Sequence, residues 1–131
     1  MLIGLLVSVV DDDESVRESL PDLLRQFGYA VRAFFSAEEF LDSSWVEETR
    51  CLILDIDLPG MSGLDLQREL ERRGHRIPII FITALEDETV RHRLLSHRAV
   101  ECLFKPFSET DLIKALDAAI PTNNTKSEGW P

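Results

Sequence analysis

Four places in the chain carry side chains that could handle a charged ligand. "VSVVDDDE" runs an apolar stretch into Asp11, Asp12, Asp13 and Glu14; "LILDIDLPGMSG" sets Asp55 and Asp57 after another; "FITA" carries Thr83; and "LFKPF" carries Lys105 before Pro106. Like charges about 4 Å apart repel by roughly 1 kcal/mol in water and by more at lower dielectric. Carboxylates gathered in one pocket therefore call for a cation. Their hard oxygens suit Mg2+, which keeps several waters and takes one or two carboxylates plus phosphate oxygens. Lys105 offers a fixed ammonium and Thr83 a hydroxyl donor. A carboxylate nucleophile, a divalent metal, an ammonium and a hydroxyl together can hold a phosphoryl group on a carboxylate. Taken singly, each group has a plainer use. Acidic residues favour helix N-termini, where Asp13 reads as a cap, and Asp55 could open a type II turn at Pro59 and Gly60. Their joint placement at the ends of apolar runs gives them weight.

The elements that must position these groups follow one alternation. Apolar, β-rich runs occur at 5–10, 30–34, 51–54, 77–82 and 100–104, with helical periodicity in the gaps. The first gap places Val16, Leu20, Leu23, Leu24 and Phe27 on one face and stops at Gly28; Pro21 lies inside it, and a kink is expected there. The second opens with Ser36 as cap and Glu39 as its capping-box partner and ends near Ser43. The third carries Leu64, Leu66 and Leu70 and closes at Gly74. The fourth carries Val90 and Leu94, and the fifth opens at Ser108 and buries Leu112, Ile113, Leu116 and Ile120. Strands separated by helices pair in parallel, and continuously apolar middle strands imply helices on both faces. The expected architecture is a doubly wound α/β sandwich, whose ligands sit outside the carboxyl ends of the strands. With the first strand central, Asp11, Asp12 and Asp55 converge.

The 131 residues, 44% hydrophobic and 29% charged, match one domain with a sizeable core. A formal charge of -10 argues against a general nucleic-acid or anionic-membrane surface. Cys51 and Cys102 sit in apolar runs without a disulfide framework, which suits a cytoplasmic setting. "MLIGLLVSVV" is too short to span a bilayer and lacks a signal peptide's basic start. His75, His92 and His97 fall on helix ends or surfaces and receive no role. Residues 1–120 form the domain, and "PTNNTKSEGWP" at 121–131 is a polar tail or the start of a linker, its glycosylation sequon without consequence in a cytoplasmic chain.

"VVDDDESVRESL", "LILDIDLPGMSG", "FITA" and "LFKPFSETDL" resemble, in order, the signature stretches of the response-regulator receiver family, in its NarL/FixJ-like branch. The resemblance covers about residues 6 to 120 and implies a five-stranded parallel sheet of order 2-1-3-4-5. It implies a switch, not an enzyme, that takes a phosphoryl group from a sensor histidine kinase or phosphotransfer protein. Asp55 then corresponds to the phospho-acceptor, and Asp11 and Asp12 to the pair that positions Mg2+. Asp57 corresponds to the residue whose backbone carbonyl completes the metal site, Thr83 to the switch hydroxyl, and Lys105 to the lysine that grips phosphoryl oxygens, with its bond to Pro106 in cis. The signalling surface would lie on the fifth strand and the fourth and fifth helices, facing an unidentified output partner, in a monomer or weak dimer.

Two positions depart from the family pattern. Cys102 stands three residues before Lys105, where an aromatic switch residue is usual, and reads as a small core residue. Arg98 stands where glycine commonly ends the fourth helix. Leu85 and Asp57 occupy positions that tune dephosphorylation in the family. Two other readings stay open on sequence alone. "LILDIDL" is similar to the Asp-x-Asp motif of haloacid-dehalogenase-like phosphatases, although there the motif follows the first strand. A pseudo-receiver would keep the fold and signal without phosphate.

Overall fold

The computed structural model describes residues 4–84, 87–96 and 99–120. The expectations for Leu85, His97, Arg98 and the 121–131 tail lie outside the described residues. Strands and helices alternate as β1 (Leu6–Val10), α1 (Glu14–Gln26), β2 (Ala30–Phe34), α2 (Ala37–Asp42), β3 (Cys51–Asp55), α3 (Gly63–Arg72), β4 (Ile79–Thr83), α4 (Glu88–Ser96), β5 (Glu101–Phe104) and α5 (Glu109–Ala119). All four strand pairings are parallel, in the order β2-β1-β3-β4-β5. This is the doubly wound sheet expected, with β1 and β3 side by side. Among the described residues, no helix is long and apolar enough to cross a membrane.

Both faces of the sheet are covered, which explains the uninterrupted apolar runs. Alternate residues go to opposite sides: Ile53 joins Leu24, Leu112 and Leu116 beneath α1 and α5, while Leu52 and Leu54 join Phe40, Leu66, Leu70 and Leu94 beneath α2, α3 and α4. Each of these fully buried side chains contributes about 1.5–3 kcal/mol relative to exposure. The central strands β3 and β4 are buried at every position. Their last residues, Asp55 and Thr83, are therefore held by the ladder itself: Asp55 stands opposite Ile82, and Thr83 opposite Phe104.

Local signals account for the helix ends. Asp13 caps α1 by accepting from the Ser15 amide, and Ser36 and Ser108 cap α2 and α5. α1 runs unbroken through the buried Pro21, and Gly28 follows its end at φ 97°. Glu39 reaches back over the α2 cap to the Phe35 amide, at 2.8 Å. α3 has a full capping box of Ser62 and Asp65. Ile113, expected in the core, is 39% exposed. Leu112 and Ile113 are adjacent, so they point about 100° apart, and the inner face goes to Leu112, Ala115, Leu116 and Ala119.

Candidate functional site

The strand ladder delivers the site's groups to one edge of the sheet. The Asp11 amide donates to the Phe34 carbonyl at 3.1 Å, so Asp11 continues β1 with its side chain fully buried. Its Oδ1 accepts from the Asp13 amide at 2.9 Å, and its carbonyl accepts from Arg17 Nη1 at 3.0 Å. Across the pocket, Asp55 Oδ1 accepts from the Asp57 amide at 3.0 Å. Lys105 reaches between the two acids, its Nζ 2.9 Å from Asp11 Oδ2 and 3.6 Å from Asp55 Oδ2. The Lys105–Pro106 bond is cis, and the Lys105 amide donates to the Thr83 carbonyl at 2.8 Å. Thr83 is buried at the end of β4. Asp12 is exposed, yet carboxylate oxygens of Asp11, Asp12 and Asp55 all lie within 4.8 Å of one another.

The electrostatics are those of a site short of positive charge. Burial pushes the Asp55 carboxyl up to about 6; the Asp57 amide pulls it back, and the neighbouring Asp11 carboxylate pushes it further up. For Lys105, burial works against the ammonium, but Asp11 and then Asp55 outweigh it and hold the group above its ordinary value. One ammonium faces three carboxylates. Asp11 Oδ2 is buried, with Lys105 as its ion-pair partner but without an aligned hydrogen bond. A buried acceptor of this kind, beside two more carboxylates of which Asp12 is exposed, fits a hard divalent cation that retains water.

The sequence-predicted residues Asp11, Asp12, Asp55 and Lys105 meet in this pocket. Asp57 adjoins it through its backbone, and Thr83 stands at the end of the neighbouring strand. Cys102 lies elsewhere: it pairs with Phe81 in the core beneath α4, 3% exposed, its thiol pushed up to about 11 by burial. Such a thiol packs as a small apolar group.

Sequence reasoning missed Arg17 and Gly63. A Cβ at Gly63 would stand 2.6 Å from the Asp55 carbonyl oxygen and 3.0 Å from Ile56 Cα, both backbone atoms. The start of α3 is thereby pressed against the chain that carries Asp55. Gly63→Ala is expected to cost about 1–3 kcal/mol by overpacking, read as a lower urea midpoint, and to weaken Mg2+ binding. A variant with the wild-type midpoint would remove this contact from the account of the site.

The comparisons with known proteins agree with this geometry. Residues 7–117 match the family described as the response regulator receiver domain. Nodulation protein W of Bradyrhizobium diazoefficiens is 46% identical over 123 residues, which cover 94% of this chain and 54% of the relative. The transcriptional regulatory protein FixJ of Azorhizobium caulinodans is 38% identical over 117 residues, covering 89% and 56%. The chain thus spans about half the length of these curated relatives. Among solved structures, the response regulator StyR superposes with a TM-score of 0.81 at 43% identity, covering 92% of this chain and 61% of that one. The crystal structure of FixJ-N gives 0.78 at 33% identity over 100% of both chains. Receiver domains are signalling switches that bind Mg2+ at an acidic cluster of the kind described above. On fold, sequence and site together, the chain belongs to the response regulator receiver family.

Proposed function

We propose that Asp55 is the phospho-acceptor of this receiver, taking its phosphoryl group from a phosphohistidine on a sensor kinase or phosphotransfer protein. The observation that carries the reading is the Lys105 ammonium, 2.9 Å from Asp11 and 3.6 Å from Asp55. In the transfer, an Asp55 carboxylate oxygen attacks phosphorus, the bond from phosphorus to the imidazole nitrogen breaks, and an acyl phosphate forms. Asp55 must be ionised to attack, and its environment keeps that ionisation within reach of neutral pH. Asp11, Asp12 and Asp55, with the Asp57 backbone carbonyl, are the groups to hold Mg2+. When bound, Mg2+ neutralises charge on the phosphoryl oxygens and lowers the repulsion that meets an incoming phosphate dianion. Lys105, 2.9 Å from Asp11, exchanges part of that ion pairing for a phosphoryl oxygen, and the Thr83 hydroxyl donates to another.

The receiver then acts as a switch, with at most self-catalysed phosphorylation and dephosphorylation. Its signal leaves by β5, α4 and α5, with Thr83 at the pocket end and Cys102 under α4. With Cys102 in place of an aromatic, the readout on this face relies on strand and helix displacement more than on rotation of a large ring. Residues 1–120 constitute the receiver, working in the cytoplasm as a monomer or weak dimer. An output partner or output domain receives the signal, and an acidic domain of net charge -10 does not itself supply nucleic-acid binding. Incubation with acetyl phosphate and Mg2+ is expected to add one acyl phosphate, stripped by hydroxylamine, to wild type and none to Asp55→Asn. Equal labelling of both proteins would sink the assignment.

A further inference from the structure

The loop from Asp55 to Ser62 supplies two groups to the proposed metal site, the Asp55 carboxylate and the Asp57 backbone, so its shape bears on the chemistry. A contact from α2 reaches it. The Glu38 carboxylate, on the first turn of α2, accepts the Met61 amide at 3.0 Å, across 23 residues of sequence. Glycine at position 60 makes this approach possible. Gly60 has φ 74°, as the turn after Pro59 requires, and a Cβ there would sit 2.8 Å from Glu38 Oε2. The carboxylate therefore occupies the space a side chain would fill and closes over the turn. α2 is held in turn by Ser36 at its cap and by the buried Phe40, which packs edge-on against Phe34 of β2 with ring centroids 5.3 Å apart. The β3–α3 loop is thus tied to the β2–α2 segment at a point separate from the Gly63 contact.

Building on the assignment of Asp55 and its metal site, we propose that Glu38 is a positioning residue for that site. By holding the Met61 amide it fixes the turn at Pro59 and Gly60, and through it the backbone of Asp57, without touching metal or phosphate. The role needs an acceptor at the right reach and not a negative charge. Three substitutions separate these: Glu38→Gln keeps an acceptor oxygen at the same reach and drops the charge, Glu38→Asp keeps the charge and shortens the reach by about 1.5 Å, and Glu38→Ala loses both. Glu38 is exposed on a short helix, and all three variants are expected to fold, with thermal midpoints close to wild type.

The test measures initial rates of labelling by acetyl phosphate against Mg2+ concentration, alongside calorimetric titration of Mg2+ alone. Glu38→Ala and Glu38→Asp are expected to raise the Mg2+ concentration for half-maximal labelling about three- to tenfold, the equivalent of one lost hydrogen bond, while the rate at saturating Mg2+ recovers towards wild type. Glu38→Gln is expected to stay within about twofold of wild type on the same scale. Wild-type Mg2+ dependence in Glu38→Ala overturns the proposal. So does a Glu38→Gln variant as impaired as Glu38→Ala, which would make charge the operative property. A wild-type protein that neither binds Mg2+ nor labels at Asp55 defeats the parent assignment instead, a result distinguishable from either.

Discussion

Replacing Lys105 by Met is expected to lower the stability of the metal-free domain by about 3 kcal/mol near pH 7, the scale of a buried ion pair that loses one partner. Met keeps most of the aliphatic stem, so the change isolates the ammonium. Asp11 is fully buried and has Lys105 2.9 Å away, while Asp55 is 5% exposed with the same ammonium at 3.6 Å. Without it, two neighbouring carboxylates share a pocket that burial already makes unfavourable for charge. The protein's remaining recourse is to take up a proton, which is cheap near pH 4.5 and costly near pH 7. The deficit should therefore shrink on acidification and also on adding Mg2+, which supplies positive charge to the same acids. Urea denaturation of wild type and Lys105→Met at both pH values, with and without Mg2+, measures it. A deficit of equal size in all four conditions would mean that Lys105 acts through packing and not through charge.

The legible parts of this molecule are those where one residue's neighbours in sequence are also its constraint in space. A run such as "CLIL" ends in Asp55 because a parallel strand buried on both faces tolerates a charge only at its end. The ends of such runs bring Asp11, Asp55 and Lys105 together, with Thr83 at the end of the neighbouring strand. Serine before an acidic turn likewise marked the starts of α2 and α5. Ile113 shows the limit of that logic: next to Leu112, periodicity leaves two apolar residues competing for one inward direction, and the packing of the neighbouring elements decides. Glu38 and Gly63 show a second limit. Their work is done across the fold, one accepting an amide 23 residues away and the other clearing space for the backbone of Asp55. Nothing in "SAEEF" or "GMSG" alone announces a contact with the loop that carries Asp55. Arg17 belongs with them, since its bond to the Asp11 carbonyl needs the helix start to curl back over the strand end.

Raising the pH of the metal-free protein from about 4 to about 7 is expected to destabilise it by up to about 3 kcal/mol through Asp55 alone. The sign follows from the raised carboxyl. Folded Asp55 titrates at about 6, against an ordinary value of 3.8, so between those values the folded state binds more protons than the unfolded one. The contribution of Asp55 to stability is then fully present below pH 3.8 and is lost as pH rises through about 6. Glu69, held down to about 2 by Arg72 and Arg73 at the exposed end of α3, works in the opposite direction but in a lower window, losing its contribution as pH falls from 4.5 towards 2. Mg2+ binding at the proposed site requires the deprotonated pocket, so below about pH 6 its affinity should fall by up to about tenfold per pH unit. Above that pH, Mg2+ at a hundred times its dissociation constant should return about 2.7 kcal/mol of stability. Asp55→Asn removes the titrating group and one of the two buried acids at a stroke. In urea denaturation across this range it should flatten the slope between pH 4 and 7, become more stable than wild type at pH 7 without metal, and lose most of the gain from Mg2+. If its stability instead tracks wild type through that window, the excess charge of the pocket resides elsewhere than on Asp55.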